Sequence, residues 1–455
     1  MTKTKKVKRE LFSSKFGVIA AAAGSAIGLG NIWKFPYITG EFGGAAFLFV
    51  YLACIAIIGL PVMLSELIIG RKSRKNAFGA FKKLAPGTPW MFIGTFGVAA
   101  AFLILSFYGV VAGWSIKYIV FSIQNVFEGK SAEQISTIYT TFITTPDKPV
   151  FYQLIFMFFT GLIVYVGIKK GIERYSKILM PLLLLIIIIL DIRAITLQGA
   201  GEGLRFLFYP DFSKLSGKAI LSALGHAFFS LSLGMGTLIT YGSYINKNTN
   251  LVKTAIEVTI ADTFIAILAG MAIFPTVFAF KIQPDKGIGL IFETLPNVFQ
   301  FMPGGHIFSI MFFILLTIAA LTSTISILEV VVAYFAEELK MKRHMATIFA
   351  TILAALLGII CSLSLGIYSD YKIFNKTVFD LLDFIASNML LPLGGMFIAL
   401  FIGWVLGKYK IFKEISHGGK LKGKVLAAFI FLVKFISPIA IAIVFANGIG
   451  LISFK

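Results

Sequence analysis

The sequence has 455 residues, of which 58% are hydrophobic and only 14% are charged, and its mean hydropathy is +0.90. Soluble globular chains are close to half apolar and carry about a quarter charged residues, so this composition excludes an ordinary soluble protein and indicates a polytopic membrane protein. The formal net charge of +20 would fit a nucleic-acid-binding protein only if the basic residues formed a patch, which their placement along the chain does not support.

The apolar segments predict eleven membrane helices, because a helix that crosses a bilayer needs about 20 apolar residues. Such windows centre near residues 27, 56, 105, 159, 184, 231, 267, 319, 354, 392 and 436. The basic segment MTKTKKVKRE leads directly into the first span without a small-residue cleavage site, so we expect it to be retained. No linker or low-complexity stretch interrupts the spans, and we expect one membrane domain over residues 1–455.

The basic residues are distributed unevenly between the two sides of the predicted membrane. Most of the 41 Lys and Arg fall in the N-terminal tail and in every second loop, for example in RKSRKNAFGAFKK, KKGIERYSK and KYKIFKEISHGGKLKGK. This asymmetry follows the positive-inside rule and places the N-terminus in the cytoplasm. Eleven spans then place Lys455 outside, and the basic charge needs no nucleic-acid partner to explain it.

The remaining chemistry-bearing residues do not indicate an enzyme. The four histidines, His226, His306, His344 and His417, lack metal-ligand spacing, and no G-x-S-x-G or P-loop pattern occurs. Both cysteines lie within apolar spans, which favours two buried small hydrophobic residues over a disulfide; they are Cys54 and Cys361. An ion channel remains an alternative, because broken helices also build selectivity filters.

Two of the predicted spans are interrupted near their middle by small and polar residues. They read GSAIGLGNIWKFP over residues 24–36 and GHAFFSLSLGMGTLITYGSY over residues 225–244. Close packing of small residues between helices would explain either one alone, but interrupted spans at corresponding positions of two halves indicate a discontinuous-helix binding site of a secondary transporter. The freed backbone N–H groups can bind an anion and the freed carbonyls a cation.

These segments, together with EFGGAAF, GLPVMLSELIIGR, KKGIERYSKILMP and AALTSTISI, resemble the neurotransmitter:sodium symporter family in order along nearly the whole chain. The resemblance is to bacterial amino-acid members with eleven helices that take tyrosine or tryptophan. It implies an all-α fold of two inverted five-helix repeats, residues 1–195 and 217–407, with helices 1 and 6 broken at mid-membrane and an added helix over 424–455. It also implies sodium-coupled symport of an amino acid into the cell by alternating access, in the inner membrane of a bacterium; a symporter for another amino-acid class is the alternative.

The resemblance implies two sodium sites built from oxygen ligands, as hard cations require. The first would use the Ala26 carbonyl, Asn31, Ser230, Asp262 and the substrate carboxylate. The second would use carbonyls and two hydroxyls, from Gly24, Ile27, Ala319, Thr322 and Ser323. Adjacent hydroxyl residues in a span usually bond back to the preceding turn, but the AALTST match favours the sodium site. Because Asp262 supplies a negative charge where the family often has Asn, we expect no chloride requirement.

The resemblance also implies a substrate pocket between the broken helices. The amino-acid carboxylate would meet the first sodium, backbone N–H groups near Gly28 and Gly30, and the hydroxyl of Tyr108. The pocket as a whole is expected to use Ser25, Ala26, Leu29, Gly30, Ile104, Tyr108, Phe229, Ser230, Ser232, Met235, Ser323 and Ile327. Met235 stands where a leucine-preferring relative has a bulky aromatic, and an unbranched side chain can fold aside for an aromatic ring.

Charged residues within or beside the spans complete the expected machinery. Lys34 with Asp383 resembles the family's outer gate, although lysine replaces the usual arginine and cannot form a bidentate fork. Arg9 with Glu337 resembles the inner gate, with glutamate in place of aspartate. Glu66 resembles the carboxylate that supports the unwound segments. Glu329 has no assignment beyond a paired or cavity-facing carboxylate.

Overall fold

The computed structural model describes residues 9–280, 287, 289–416 and 423–452. The described residues form helices and one isolated bridge between Ile373 and Lys376, with no strand. Numbered in chain order, the helices are α1 (Lys15–Ala26), α2 (Gly30–Glu41), α3 (Ala45–Ser73), α4 (Ala77–Leu84), α5 (Met91–Ile123), α6 (Ala132–Thr144), α7 (Lys148–Tyr165), α8 (Ile168–Ile195), α9 (Ala200–Phe208), α10 (Gly217–Ser230), α11 (Thr237–Tyr244), α12 (Leu251–Ala279), α13 (290–301), α14 (Gly305–Glu337), α15 (Arg343–Leu363), α16 (Val378–Val405), α17 (Lys408–Ile415) and α18 (Val425–Gly448).

Nine helices in the described ranges are long and apolar enough to cross a membrane, and the bent pair α1 and α2 makes a tenth span. The two halves of that pair meet at an angle of 51°. Helices α10 and α11 are separated by the non-helical residues 231–236 and fall within the predicted sixth span. The all-helical class predicted from the sequence is confirmed. Lys455 and His417 lie outside the described residues, so the predictions made for them remain predictions.

Several of the long helices contain a wider, π-helical turn directly before a proline. Proline lacks the N–H that an α-helix requires at that point, and a wider turn accommodates the missing bond without ending the helix. This arrangement precedes Pro36, Pro61, Pro296, Pro392 and Pro438. Apolar spans can therefore continue through proline and still bend where neighbouring helices require it.

The two broken spans lie against the long straight helices of the protein. Helix α1 packs on α14, α12 and α8, α11 packs along α3, and α14 packs along α5. Buried apolar side chains from all of these helices form one continuous core. This packing brings both breaks to the centre of the bundle, where the candidate site lies. Cys54 on α3 is half-buried and Cys361 on α15 is buried.

Candidate functional site

The backbone of both broken spans leaves helical geometry at small residues. After α1, Ile27 is extended, with φ −71° and ψ 105°, and α2 begins at Gly30. Between α10 and α11, Ser232, Gly234 and Gly236 have positive φ values of 54°, 81° and 75°. Glycine adopts this conformation without steric cost, which explains why the sequence LSLGMG can form the second break.

Side chains from neighbouring helices satisfy the backbone groups that the breaks expose. The carboxylate of Glu66 accepts a hydrogen bond from the N–H of Gly234 at 2.7 Å, and Glu66 is completely buried. The hydroxyl of Tyr108 accepts one from the N–H of Leu29 at 2.8 Å. The Ser232 hydroxyl donates to the Ser25 carbonyl at 2.8 Å, which ties the two breaks together. Glu66 therefore contacts the second break directly.

Gly28 allows the first break to approach α5 and α14 closely. A Cβ added at Gly28 would lie 2.4 Å from Oγ of Ser323 and 2.7 Å from the hydroxyl oxygen of Tyr108. Both distances are well inside van der Waals contact, so no larger residue fits without displacing one of these groups. The glycine is thus needed for a close approach of backbone to polar side chains, as at many ligand sites.

The residues expected at the first sodium site form one buried cluster. Asn31 donates from Nδ2 to the Asp262 carboxylate at 2.8 Å and to the Asp262 carbonyl at 3.0 Å. The Ser230 hydroxyl lies 3.0 Å from both carboxylate oxygens of Asp262. All three side chains are at most 1% exposed. Ala26, the last residue of α1, is also buried, so the cluster offers only oxygen and amide groups around one carboxylate.

The residues expected at the second sodium site also lie together, between α1 and α14. The Ser323 hydroxyl reaches the carbonyls of Gly24 at 3.3 Å and Ile27 at 3.2 Å. Thr322 behaves differently, because its hydroxyl bonds back to Ile318 at 3.2 Å and Ala319 at 3.1 Å on its own helix. Ser323 is therefore the side chain that connects the two helices here.

Between the breaks lies a small cavity of about 20 Å³. All the residues expected in the substrate pocket line it except Leu29 and Ser230, and Gly28 lines it as well. Leu29 is turned away but contributes its N–H to Tyr108, and Ser230 faces Asp262. A cavity of this size accommodates about one water molecule, so a larger ligand enters only after side chains such as Phe229 and Met235 move.

The charged pair that the sequence predicts between Arg9 and Glu337 is formed. Arg9 and Glu337 make an ion pair, and the Arg9 guanidinium lies 4.7 Å from the ring centroid of Tyr244. Glu337 also accepts hydrogen bonds from the backbone and side chain of Asn76, both at 3.2 Å. These contacts hold the N-terminal segment against α11 and α14.

The outer charged pair is not joined in this structure. The Lys34 ammonium lies 4.4 Å from the ring centroid of Phe229, and Asp383 accepts a hydrogen bond from Ser387 at 2.7 Å. Beside them is a cavity of about 220 Å³ that Lys34, Phe229 and Ser387 help to line. Phe229 also lines the central cavity, so its ring separates the two spaces.

Sequence reasoning missed the partner of Glu329. Arg343, the first residue of α15, binds the Glu329 carboxylate through two nitrogens at 2.9 and 2.6 Å, and the Tyr244 hydroxyl donates to it at 2.6 Å. Glu329 is completely buried. The sequence does carry a signal, since Arg343 directly precedes an apolar span, but a basic residue at the end of a span is also what the positive-inside rule predicts.

No group of three or more His, Cys, Asp or Glu side chains that could hold a transition metal occurs in the described ranges. The clusters at the breaks instead combine carbonyls, hydroxyls, an amide and a single carboxylate. Such sets suit weakly bound hard cations. Two broken membrane helices that meet at these clusters, with charged pairs on either side, define the architecture of a secondary transporter.

Comparison with known proteins gives the family. The model of the sodium:neurotransmitter symporter family matches residues 9–138 and 143–454. The chain is 42% identical over 443 residues to the uncharacterized sodium-dependent transporter YhdH of Bacillus subtilis (strain 168), covering 97% of this chain and 98% of the relative. An uncharacterized sodium-dependent transporter of Haemophilus influenzae is 38% identical, covering 98% of this chain and 99% of that protein.

A solved structure is also similar over nearly the whole chain. The crystal structure of MhsT in complex with L-phenylalanine superposes with a TM-score of 0.89 at 50% identity, covering 97% of this chain and 100% of MhsT. This chain belongs to the sodium:neurotransmitter symporter family. It is therefore a multi-pass, sodium-dependent transporter, and the enzyme and channel alternatives are excluded.

Proposed function

We propose that this transporter carries an aromatic amino acid, tyrosine or tryptophan, into the cell together with sodium ions by alternating access. The observation that carries the proposal is the cavity between the two breaks, whose lining combines apolar Ile104, Met235 and Ile327 with small residues of the breaks and hydroxyl-bearing side chains. MhsT, which is 50% identical, was crystallised with L-phenylalanine, and this supports an aromatic substrate here.

The polar wall of the cavity provides groups for both charges of an amino acid. Its carboxylate would lie at the start of α2, where helix N–H groups favour an anion, and would contact the Tyr108 hydroxyl and the first sodium. The ammonium group would be received by carbonyls around Ser25, Ala26 and Phe229 and by the hydroxyl of Ser232. The side chain would then point toward Met235, Ile104 and Ile327.

Met235 gives the pocket the adaptability that an aromatic ring requires. Its side chain is 2% exposed and lines the cavity. Methionine has three rotatable bonds and a polarizable sulfur that makes favourable contacts with aromatic rings. We propose that Met235 rotates aside to admit the ring and then packs against it, so that aromatic substrates bind more tightly than leucine or alanine.

Two sodium ions are proposed to accompany each substrate molecule. One would replace the hydrogen bonds that now join Asn31, Ser230 and Asp262. The other would lie among the carbonyls of Gly24, Ile27 and Ala319 and the hydroxyls of Thr322 and Ser323. At about 100 mV each ion contributes about 2.3 kcal/mol, and a tenfold gradient adds about 1.4 kcal/mol. Two ions thus supply about 7 kcal/mol.

We also propose that transport does not require chloride. Asp262 is completely buried and receives hydrogen bonds from Asn31 and Ser230. An ionised carboxylate at this place would bind sodium directly and balance its charge in a medium where an unpaired ion is very costly. Replacement of chloride by gluconate should therefore leave uptake unchanged.

The proposed topology has eleven spans, with α10 and α11 forming one broken span, the N-terminus in the cytoplasm and Lys455 outside, in the inner membrane of a bacterium. The inverted repeats would be residues 1–195 and 217–407, with the last helix added over 424–455. In this frame the joined pair Arg9 and Glu337 closes the inner side, and the separated Lys34 and Asp383 leave the outer gate unlatched. A tag placed after Lys455 should be reached by protease added outside intact cells; protection of the tag would contradict the proposed topology.

The substrate is tested by competition in proteoliposomes that contain the purified protein. With an inward sodium gradient, unlabelled tyrosine, tryptophan and phenylalanine should displace uptake of labelled tyrosine at lower concentrations than leucine or alanine. In a second series with Met235→Phe, smaller amino acids should become the better competitors, because a rigid ring would fill the space that Met235 vacates. Competition led by glycine or by a cationic amino acid would overturn the proposed pocket.

A further inference from the structure

Away from the transport site, helices α7 and α15 form an apolar groove on the outer surface of the bundle. The groove has a volume of about 330 Å³. Phe158, Leu162 and Tyr165 form its wall on α7, and Ile348 and Ile352 form its wall on α15. All five of these side chains are between 44% and 63% exposed, so the groove is open to the surrounding membrane.

The groove exists because the two helices touch at a glycine. A Cβ added at Gly161 would lie 3.0 Å from both Cγ2 and Oγ1 of Thr351. The backbone therefore approaches Thr351 directly, and the larger side chains on either side stand apart. Among the described residues the Thr351 hydroxyl has no hydrogen-bond partner. That hydroxyl is itself buried, and the rest of the groove lining is apolar apart from Thr347.

One end of the groove is closed by aromatic and basic residues. The rings of Tyr165 and His344 lie 6.3 Å apart, and Arg343 donates to the carbonyl of Val164 at 3.3 Å. His344 precedes Ile348 and Ile352 by one and two turns, so it continues the same face of α15. At this level α7 ends and the chain enters the basic segment that opens α8.

That end of the groove carries several unpaired positive charges. Lys169 and Lys170 lie in the first turn of α8, shortly after α7 ends at Tyr165, and Lys342 directly precedes α15; all three are exposed. The nearest acid in contact is Glu10, whose carboxylate accepts the backbone N–H of Lys169 at 3.1 Å and fixes the loop there. None of these three lysines forms an ion pair with a described carboxylate.

We propose that this groove is a binding site for one anionic phospholipid. One acyl chain would lie along Leu162 and Ile352, and the phosphate would lie among Lys169, Lys170 and Lys342 with a hydrogen bond from His344. The groove face from residue 158 to 165 is about 10 Å long, at 1.5 Å per residue, which is about a third of the hydrocarbon thickness of a bilayer. An apolar channel that ends in positive charge matches a lipid with an apolar tail and an anionic head.

A second copy of the chain fits this surface less well. Membrane homodimers are related by a two-fold axis, so the same surface patch meets itself. If the axis is perpendicular to the membrane, Lys169, Lys170 and Lys342 of one copy would approach their counterparts, and like charges would repel. An anionic lipid removes this conflict. The binding does not depend on the proposed substrate or sodium sites. If the proposed topology holds, the lysines lie on the cytoplasmic side and the lipid belongs to the inner leaflet.

The test uses the full chain, purified in detergent and depleted of lipid, with native mass spectrometry to count bound lipids. Phosphatidylglycerol and phosphatidylcholine with identical acyl chains are added separately over the same concentration range. The expected result is one phosphatidylglycerol bound with an affinity at least tenfold above that of phosphatidylcholine, since each lysine near an anionic headgroup contributes about fivefold. Equal binding of the two lipids would overturn the proposal.

Variants locate the binding to the groove. Lys169→Gln with Lys170→Gln should lower the preference for phosphatidylglycerol at least tenfold, and the matched pair Lys408→Gln with Lys410→Gln on α17 should leave it unchanged. Leu162→Trp should fill the groove and lower the binding of both lipids, whereas Leu185→Trp, at another exposed apolar position, should not. Thermal unfolding without lipid checks that each variant is folded. Equal losses in a variant and its control would show that the lipid binds elsewhere.

Discussion

Replacement of Asp262 by asparagine tests the proposed charge balance of the first sodium site. The Asp262 carboxylate is completely buried and lies 2.8 Å from Nδ2 of Asn31 and 3.0 Å from the Ser230 hydroxyl. The amide of asparagine is nearly isosteric but neutral. A hydrogen bond to a charged group contributes about 1.5–3 kcal/mol. We expect the loss of the carboxylate charge to cost sodium binding a similar amount, so the variant should bind sodium about 10- to 150-fold more weakly.

The assay is a sodium titration of labelled tyrosine binding to purified protein in chloride-free buffer, with choline as the replacing cation. Asp262→Asn should raise the half-saturating sodium concentration by the stated factor, and added chloride should recover part of the loss because it restores a negative charge near the site. Acid buffer that protonates Asp262 in the wild type should have the same effect as the variant. Asp370→Asn, an exposed position, is the control. Unchanged sodium affinity in Asp262→Asn, or wild-type transport that stops without chloride, would refute the reasoning.

Substitutions of Lys34, Ser323 and Arg343 test three further contacts. Lys34→Ala should reduce uptake because the proposed outer gate loses its positive charge, whereas Lys34→Arg should keep uptake near the wild-type rate. Uptake by Lys34→Ala at the wild-type rate would show that Lys34 is not part of the gate. Ser323→Ala removes a hydroxyl that reaches carbonyls of α1 and should weaken sodium-dependent substrate binding at least tenfold, whereas Thr322→Ser, which keeps its hydroxyl, should change it little in the same titration. Arg343→Gln leaves the buried Glu329 carboxylate without its ion pair. It should lower the free energy of unfolding by about 3 kcal/mol, which is the low end of the cost of breaking a buried ion pair. We expect the low end because 29% of the Arg343 side chain is exposed. Thermal unfolding should show partial recovery when Glu329→Gln is added, and no recovery would contradict the assignment of the pair.

The sequence predicts the breaks and their surroundings well because the signals are local. Small residues in LSLGMG directly specify positive φ at Gly234 and Gly236. Glu66 stands out as a carboxylate within an apolar span, where an unsatisfied charge is too costly to persist without a partner. The neighbouring sequence alone is enough to single out such residues. In the structure, most of the residues predicted for the pocket line one cavity.

Contacts between distant parts of the chain were harder to predict. Composition and periodicity do not show that Arg343 reaches Glu329, or that Ser323 rather than Thr322 crosses to α1. Both outcomes depend on the rotation of α14 against its neighbours, which is set by packing over the whole bundle. The sequence predicts a pair between Lys34 and Asp383, whereas in the structure the Lys34 ammonium lies over the Phe229 ring.

In sodium-coupled symport of an aromatic amino acid, sodium and the amino acid enter together. The most direct test is to measure the fluxes of tyrosine and of sodium at the same time. Sealed proteoliposomes are given an inward sodium gradient and a negative internal potential, and uptake of labelled tyrosine and of labelled sodium is followed in the same vesicles. Tyrosine should accumulate above its external concentration, and about two sodium ions should enter with each tyrosine molecule. Equal accumulation when potassium replaces sodium, or sodium entry that is independent of tyrosine, would contradict it.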